Sequence, residues 1–105
     1  MVSAEHIEAS VLRYLELVAG GTAEEIAALF ADDATVQDPV GGEVHIGRHA
    51  IRGFYANIEG LPRETELLAL RIAGHEAAFM FAITVGAGEH RIRIEPIDVM
   101  VFDGA

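Results

Sequence analysis

Two tyrosines, Tyr14 and Tyr55, and two of the aspartates, Asp38 and Asp98, carry the chemistry this chain can offer. Most other catalytic groups drop out by composition. The chain has no cysteine, and all seven basic residues are arginine, so thiol and lysine Schiff-base chemistry are both closed. Ser3 and Ser10 are the only serines, and neither has the setting of a nucleophile elbow. The glycines mark turns and match neither a phosphate loop nor a dinucleotide fingerprint. His45 and His49 have the i, i+4 spacing of a helical metal pair. Gly47 lies between them and no acidic third ligand is close in sequence, so no metal is expected. Acid–base work by carboxylates and tyrosine remains.

Asp98 is the unusual member of this group. The stretch Ile92–Phe102 reads as a β-strand that becomes apolar on both faces towards its end. Side chains alternate along a strand, so Asp98 shares a face with Ile92, Ile94, Met100 and Phe102, unless a bulge at Pro96 shifts the register. A carboxylate on such a face is either paired or holds its proton. Asp38 is placed differently. It precedes Pro39, which pushes it towards an extended conformation at the exit of a short strand, residues 34–37. That is ordinary turn chemistry, or a carboxylate at a pocket mouth.

The elements that must hold these residues follow from periodicity. Ile7, Val11, Tyr14 and Val18, flanked by Leu15, form the apolar stripe of a helix over residues 4–19, with Ser3 as N-cap and Gly20-Gly21 as the stop. Tyr14 therefore lies on the buried side, either as a core tyrosine or with its hydroxyl aimed into a pocket. Thr22-Ala23-Glu24-Glu25 has capping-box spacing and starts a second, short helix through Phe30, with Ile26, Leu29 and Phe30 inward. After a loop through Gly47, a third helix covers 48–58 and turns Ile51, Phe54, Tyr55 and Ile58 inward. The rest reads as sheet. Strands cover 64–72 and 76–85, the second with Phe79, Phe81, Ile83 and Val85 on one side, and Gly86-Ala87-Gly88 turns into the last strand. Helices followed by consecutive antiparallel strands define an α+β fold.

Composition sets the outer bounds. A chain of 105 residues that is 51% hydrophobic supports one domain with a real core. The net charge of −10 disfavours nucleic acid and anionic membranes as partners. No apolar run reaches membrane-spanning length, and the charged start Ser3-Ala4-Glu5-His6 is unlike a signal peptide. With no cysteine, a cytoplasmic location is expected.

Four segments together resemble the bacterial Δ5-3-ketosteroid isomerases. Arg13-Tyr14-Leu15-Glu16-Leu17-Val18 is similar to the family's first-helix segment, and Phe30–Gly41 to the segment that ends in its general base. Gly53-Phe54-Tyr55 resembles the helix with a supporting tyrosine, and Pro96-Ile97-Asp98-Val99-Met100 the strand with the second oxyanion-hole donor. Order and spacing fit from Ser3 to Asp103. The resemblance implies a fold like that of nuclear transport factor 2, a cone-shaped curved antiparallel sheet covered by three N-terminal helices. It also implies a single ketosteroid-isomerase-like domain over 1–105, short at its C-terminus, because family chains run on past Asp103-Gly104 into another long strand. Phe30 stands where some members have a third tyrosine.

The activity implied is movement of a steroid C5–C6 double bond into conjugation with a 3-ketone, through a dienolate and with no cofactor. Asp38 is implied as the base, Tyr14 and protonated Asp98 as donors to the oxyanion, and Tyr55 as the support of Tyr14. A carboxylic acid kept neutral near pH 7 is an established feature of that family. Val18, Phe54, Phe81 and Met100 are expected against the ligand, a 3-oxo steroid or similar small hydrophobe. The implied assembly is a homodimer through the sheet face, altered by the missing strand. The alternative is a steroid- or small-hydrophobe-binding module of the same fold with little or no turnover. A cyclase, dehydratase or epoxide hydrolase is a third option; an epoxide hydrolase should carry another polar constellation for activating water, which is not found in this sequence.

Overall fold

The computed structural model describes residues 2–103. The chain divides into two compact units. One joins Met1–Gly20 to Leu61–Ala105, and the other is Gly21–Gly60. The two C-terminal residues, where the shortness of the chain was noted, lie outside the described residues.

The first unit starts with helix α1, Ala4–Gly20, which buries Ile7, Val11, Tyr14, Leu15, Leu17 and Val18. Ser3 caps it: its Oγ accepts from the His6 N–H at 3.1 Å. The helix is fastened to strand β3, Arg63–Ala73, by polar contacts near its C-terminal end. The Arg63 guanidinium donates to the carbonyls of Val18 at 2.5 Å and Leu17 at 3.5 Å. It thus satisfies carbonyls that the last turn leaves open and sets a positive charge at the negative end of the helix. One turn earlier, Thr65 Oγ1 donates to the carbonyl of Leu15 at 2.8 Å.

Strand β4, Glu76–Val85, is the centre of this sheet. It pairs antiparallel with β3 on one side, with a register shift between Leu67 and Ala69. On its other side it pairs with β5, Ile92–Ile94, and then β6, Ile97–Val101. The expected single strand is therefore two, interrupted at Glu95-Pro96. Proline offers no N–H to the ladder there. The register nevertheless passes through unshifted: Ile94 faces Ile83 and Ile97 faces Met80, and the Phe81 N–H donates to the Pro96 carbonyl at 3.2 Å. Asp98 thus keeps the face expected for it. Between β4 and β5 the chain turns through Gly86 at φ +98°, where a Cβ would stand 2.5 Å from the His90 carbonyl oxygen, so no side chain fits. A short 3₁₀ turn, Gly88–His90, replaces the plain hairpin turn that was expected.

Phe79, Phe81 and Ile83 point to the α1 side and are buried, as are Ile7 and Val11 opposite them. Each such side chain contributes on the order of 1.5–3 kcal/mol by leaving water.

The second unit opens with α2, Ala23–Ala27. Thr22 and Glu25 form the capping box read from the sequence, with Glu25 N–H to Thr22 Oγ1 at 3.1 Å and Thr22 N–H to Glu25 Oε1 at 2.9 Å. Glu59 also reaches this end, accepting from the Ala23 N–H at 2.5 Å. The helix ends at Ala27, before Phe30, and continues only as turns, so Leu29 is exposed rather than inward. Strand β1, Thr35–Gln37, pairs with β2, Val44–Ile46, in a hairpin. β2 falls in a stretch that reads as loop. Helix α3, Gly47–Tyr55, follows directly and buries Ile51 and Tyr55, with Phe54 half-buried; it ends short of the expected residue 58, and half-buried Ile58 lies in the turns that follow. Arg48 locks its first turn to the chain before β1, through the Phe30 carbonyl at 2.7 Å and the Asp32 carboxylate at 2.8 Å.

Candidate active site

The candidate residues fall into two groups, one in each unit. In the first, Tyr14 projects from α1 onto β4. Its ring meets Phe79 edge-on, with centroids 6.2 Å apart and planes at 72°. Phe79 in turn tilts against Phe81 at 5.6 Å. Across the ladder from Phe79, in direct register, stands Asp98 of β6. Residues opposed in an antiparallel pair project from the same face, so Tyr14 and Asp98 are both neighbours of Phe79. Tyr14 is only 5% exposed and Asp98 is half-buried.

Met100, two residues on and on the same face, is half-buried and opposes Ala77. Val18 and Phe81 are buried within this unit. The face itself is less uniformly buried than its sequence predicts. Ile92 and Ile94 share it with Asp98, yet are 65% and 53% exposed. Burial concentrates around Phe79, where α1 lies, and not at the β5 end.

In the second unit, Asp38 follows β1 at the tip of the hairpin and is exposed. The Asp38–Pro39 peptide bond is cis. The turn closes on itself: the Gly42 N–H donates to the Pro39 carbonyl at 2.9 Å, and the Gln37 side-chain amide donates to the Gly42 carbonyl at 3.0 Å. Asp38 thus extends from a braced turn. Tyr55, on α3, packs edge-on against Phe54 at 5.0 Å and lies 6.3 Å from the Phe30 ring.

Sequence reasoning missed the placement of His45. It sits in β2 opposite Val36, and its ring lies 4.8 Å from that of Phe54. The alternation Glu43-Val44-His45-Ile46 was the available signal for that strand. His49 belongs to α3, so the two histidines do not share a helix. Among the described residues, no group of three or more metal-ligating side chains comes together. A groove of about 320 Å³ lined by Glu64, Thr65, Glu66, Ala82, Thr84 and Arg93 contains none of the candidate residues.

The first unit thus holds a buried phenol and a half-buried carboxyl beside one phenylalanine, and the second an exposed carboxylate on a braced turn. The chain belongs to the SnoaL-like domain family, whose model matches residues 11–105. It is 53% identical over 103 residues to a steroid Δ-isomerase of Nocardioides simplex, a match that covers 97% of this chain and 82% of that protein. Among solved structures, it is similar to the epoxide hydrolase/cyclase-like enzyme SalBIII of pyran ring formation in polyether salinomycin. That likeness has a TM-score of 0.84 at 25% identity over 99% of this chain and 85% of the other. A protein of ketosteroid isomerase-like fold from Catenulispora acidiphila, solved with trimethylamine, matches at TM-score 0.79 and 17% identity, over 90% of this chain and 76% of that one. This last likeness bears on fold alone. The α+β fold and the resemblance to ketosteroid isomerases read from the sequence both stand. No helix among the described residues is long and apolar enough to cross a membrane.

Proposed function

We propose that this protein is a cofactor-free steroid Δ-isomerase that moves a C5–C6 double bond into conjugation with a 3-ketone. The observation that carries the reading is that Tyr14 and Asp98 both neighbour Phe79, in a chain 53% identical to a steroid Δ-isomerase. In this mechanism Asp38 removes a proton from the carbon between ketone and alkene. Charge builds on the ketone oxygen as the dienolate forms. Tyr14 and a protonated Asp98 donate hydrogen bonds to that oxygen, and such donors act most strongly where water is excluded. Asp38 then returns the proton two carbons further along. Each Asp38 transfer is the kind of step that a positioned carboxylate accelerates by roughly 10²–10⁴-fold. Tyr55 is proposed to support Tyr14, and Val18, Phe54, Phe81 and Met100 to receive the steroid.

The sheet carries a second feature relevant to assembly. On the side away from α1, Ile97, Val99 and Val101 of β6 are 69%, 66% and 67% exposed, beside half-buried Met80. Three adjacent apolar side chains in water are unusual for a free surface. We place the contact of a homodimer on this face, and the protein in the cytoplasm.

The test is direct. A 5-ene-3-ketosteroid should gain the ultraviolet absorbance of a conjugated enone when the protein is added. No turnover above buffer, together with tight binding of a phenolic steroid, would replace the enzyme by a binding module of the same fold.

A further inference from the structure

We infer that Phe79 is the positioning residue of the donor pair, a single ring that sets the direction of the Tyr14 hydroxyl and the seat of the Asp98 carboxyl together. The inference rests on the isomerase reading, since it concerns what aligns the two groups proposed to hold the oxyanion.

Phe79 is 0% exposed, so its ring sits inside the packed core. It touches Tyr14 edge-to-face, at 6.2 Å and 72°. That geometry constrains the plane of the tyrosine ring, and a phenol oxygen lies in the plane of its ring. Fixing the plane therefore limits the directions in which the hydroxyl can donate. Edge-to-face pairs also favour this arrangement by about 0.5–1.5 kcal/mol beyond simple burial. Asp98 is the register partner of the same residue. Opposed side chains of an antiparallel pair have Cβ atoms roughly 4.5–5.5 Å apart. The carboxyl thus emerges beside the ring that braces the phenol.

Phe79 is itself held from behind. Phe81 tilts against it at 5.6 Å, and α1 is tied down over it by Arg63 and Thr65. Nothing in its chemistry can donate, accept or titrate, so its contribution to the reaction acts only through its neighbours. A smaller, rounder side chain would keep the site apolar but free Tyr14 to pivot. Misplacement of a catalytic group by about 1 Å can cost on the order of 10²-fold in rate. Binding of the steroid, by contrast, draws on a wider apolar surface and should be little affected.

The experiment compares the parent chain with Phe79→Leu and Phe79→Met in steady-state turnover of a 5-ene-3-ketosteroid. Ile7→Val serves as a control, a fully buried core residue on α1 with no assigned part in the site. Thermal unfolding confirms which variants are folded at the assay temperature. Both Phe79 variants should lose roughly 10- to 100-fold in kcat with KM within about twofold of the parent, the signature of a loss felt in the transition state. Ile7→Val should keep the parent kcat. A proton NMR spectrum of the estradiol complex gives a second readout: the downfield hydroxyl resonances should move in the Phe79 variants and stay in Ile7→Val. A folded Phe79→Leu or Phe79→Met chain with the parent kcat overturns the inference and leaves the isomerase reading intact. So does a fall in kcat matched by an equal fall in Ile7→Val, which would mark plain loss of stability. An inactive parent chain overturns both.

Discussion

The two candidate carboxylates sit in opposite kinds of place. Asp38 is exposed at the tip of a two-stranded hairpin, on a turn braced by Gln37 and Gly42. Asp98 is half-buried within strand β6, across from a phenylalanine that no water reaches. The side chain is the same, but its surroundings are not. Asp38 stands open to water, a setting that suits the base proposed for it. Asp98 faces an apolar ring, a setting that suits the donor proposed for it. In the proposed mechanism, two identical side chains divide acid and base labour by position.

The largest expected effect falls on the hairpin. Asp38→Asn removes the only group proposed to carry the proton, so kcat should drop by roughly 10²–10⁴-fold. The enone absorbance assay measures this, and a variant that keeps the parent rate would erase the contrast. Next comes the strand side. Tyr14→Phe keeps the ring against Phe79 but takes away a donor, and such a loss costs on the order of 10²–10³-fold in kcat. An unchanged kcat would mean that the buried phenol is only a core residue. Smaller effects concern the scaffolds. Thr65→Val deletes the hydroxyl that ties β3 to Leu15 of α1, which should cost about 0.5–1.5 kcal/mol in chemical denaturation. Thr22→Ala breaks the capping box in the unit that carries Asp38 and should cost about 1 kcal/mol by the same measurement.

The two regions also differ in how legible they were. Tyr14 could be placed from spacing alone, because Ile7, Val11, Tyr14 and Val18 fix one face of a long helix and the helix is where they put it. The capping box at Thr22 likewise states its geometry in four letters. The face of Asp98 was readable from strand alternation, and the unshifted register across Pro96 preserved it. What alternation could not show is which part of that face α1 covers. Ile92 and Ile94 look as buried as Asp98 in the sequence, yet stand exposed. Coverage depends on where a distant helix lies, and residue periodicity holds no record of it. The hairpin was read less well. Three-residue strands give too few positions for a period to emerge, so β2 and the contact of His45 with Phe54 were missed. The early end of α2 has a similar cause: after the capping box only one more turn is sustained, and Leu29 falls outside it.

The division of labour between the carboxylates rests most directly on the kcat of Asp98→Asn. An amide still donates a hydrogen bond but can neither ionise nor accept a proton as a base. If Asp98 acts as a neutral donor, the amide should stand in for it, and kcat should stay within roughly tenfold of the parent. A loss as deep as that of Asp38→Asn would contradict the account, because it would mean that Asp98 works through a charge it was not supposed to carry.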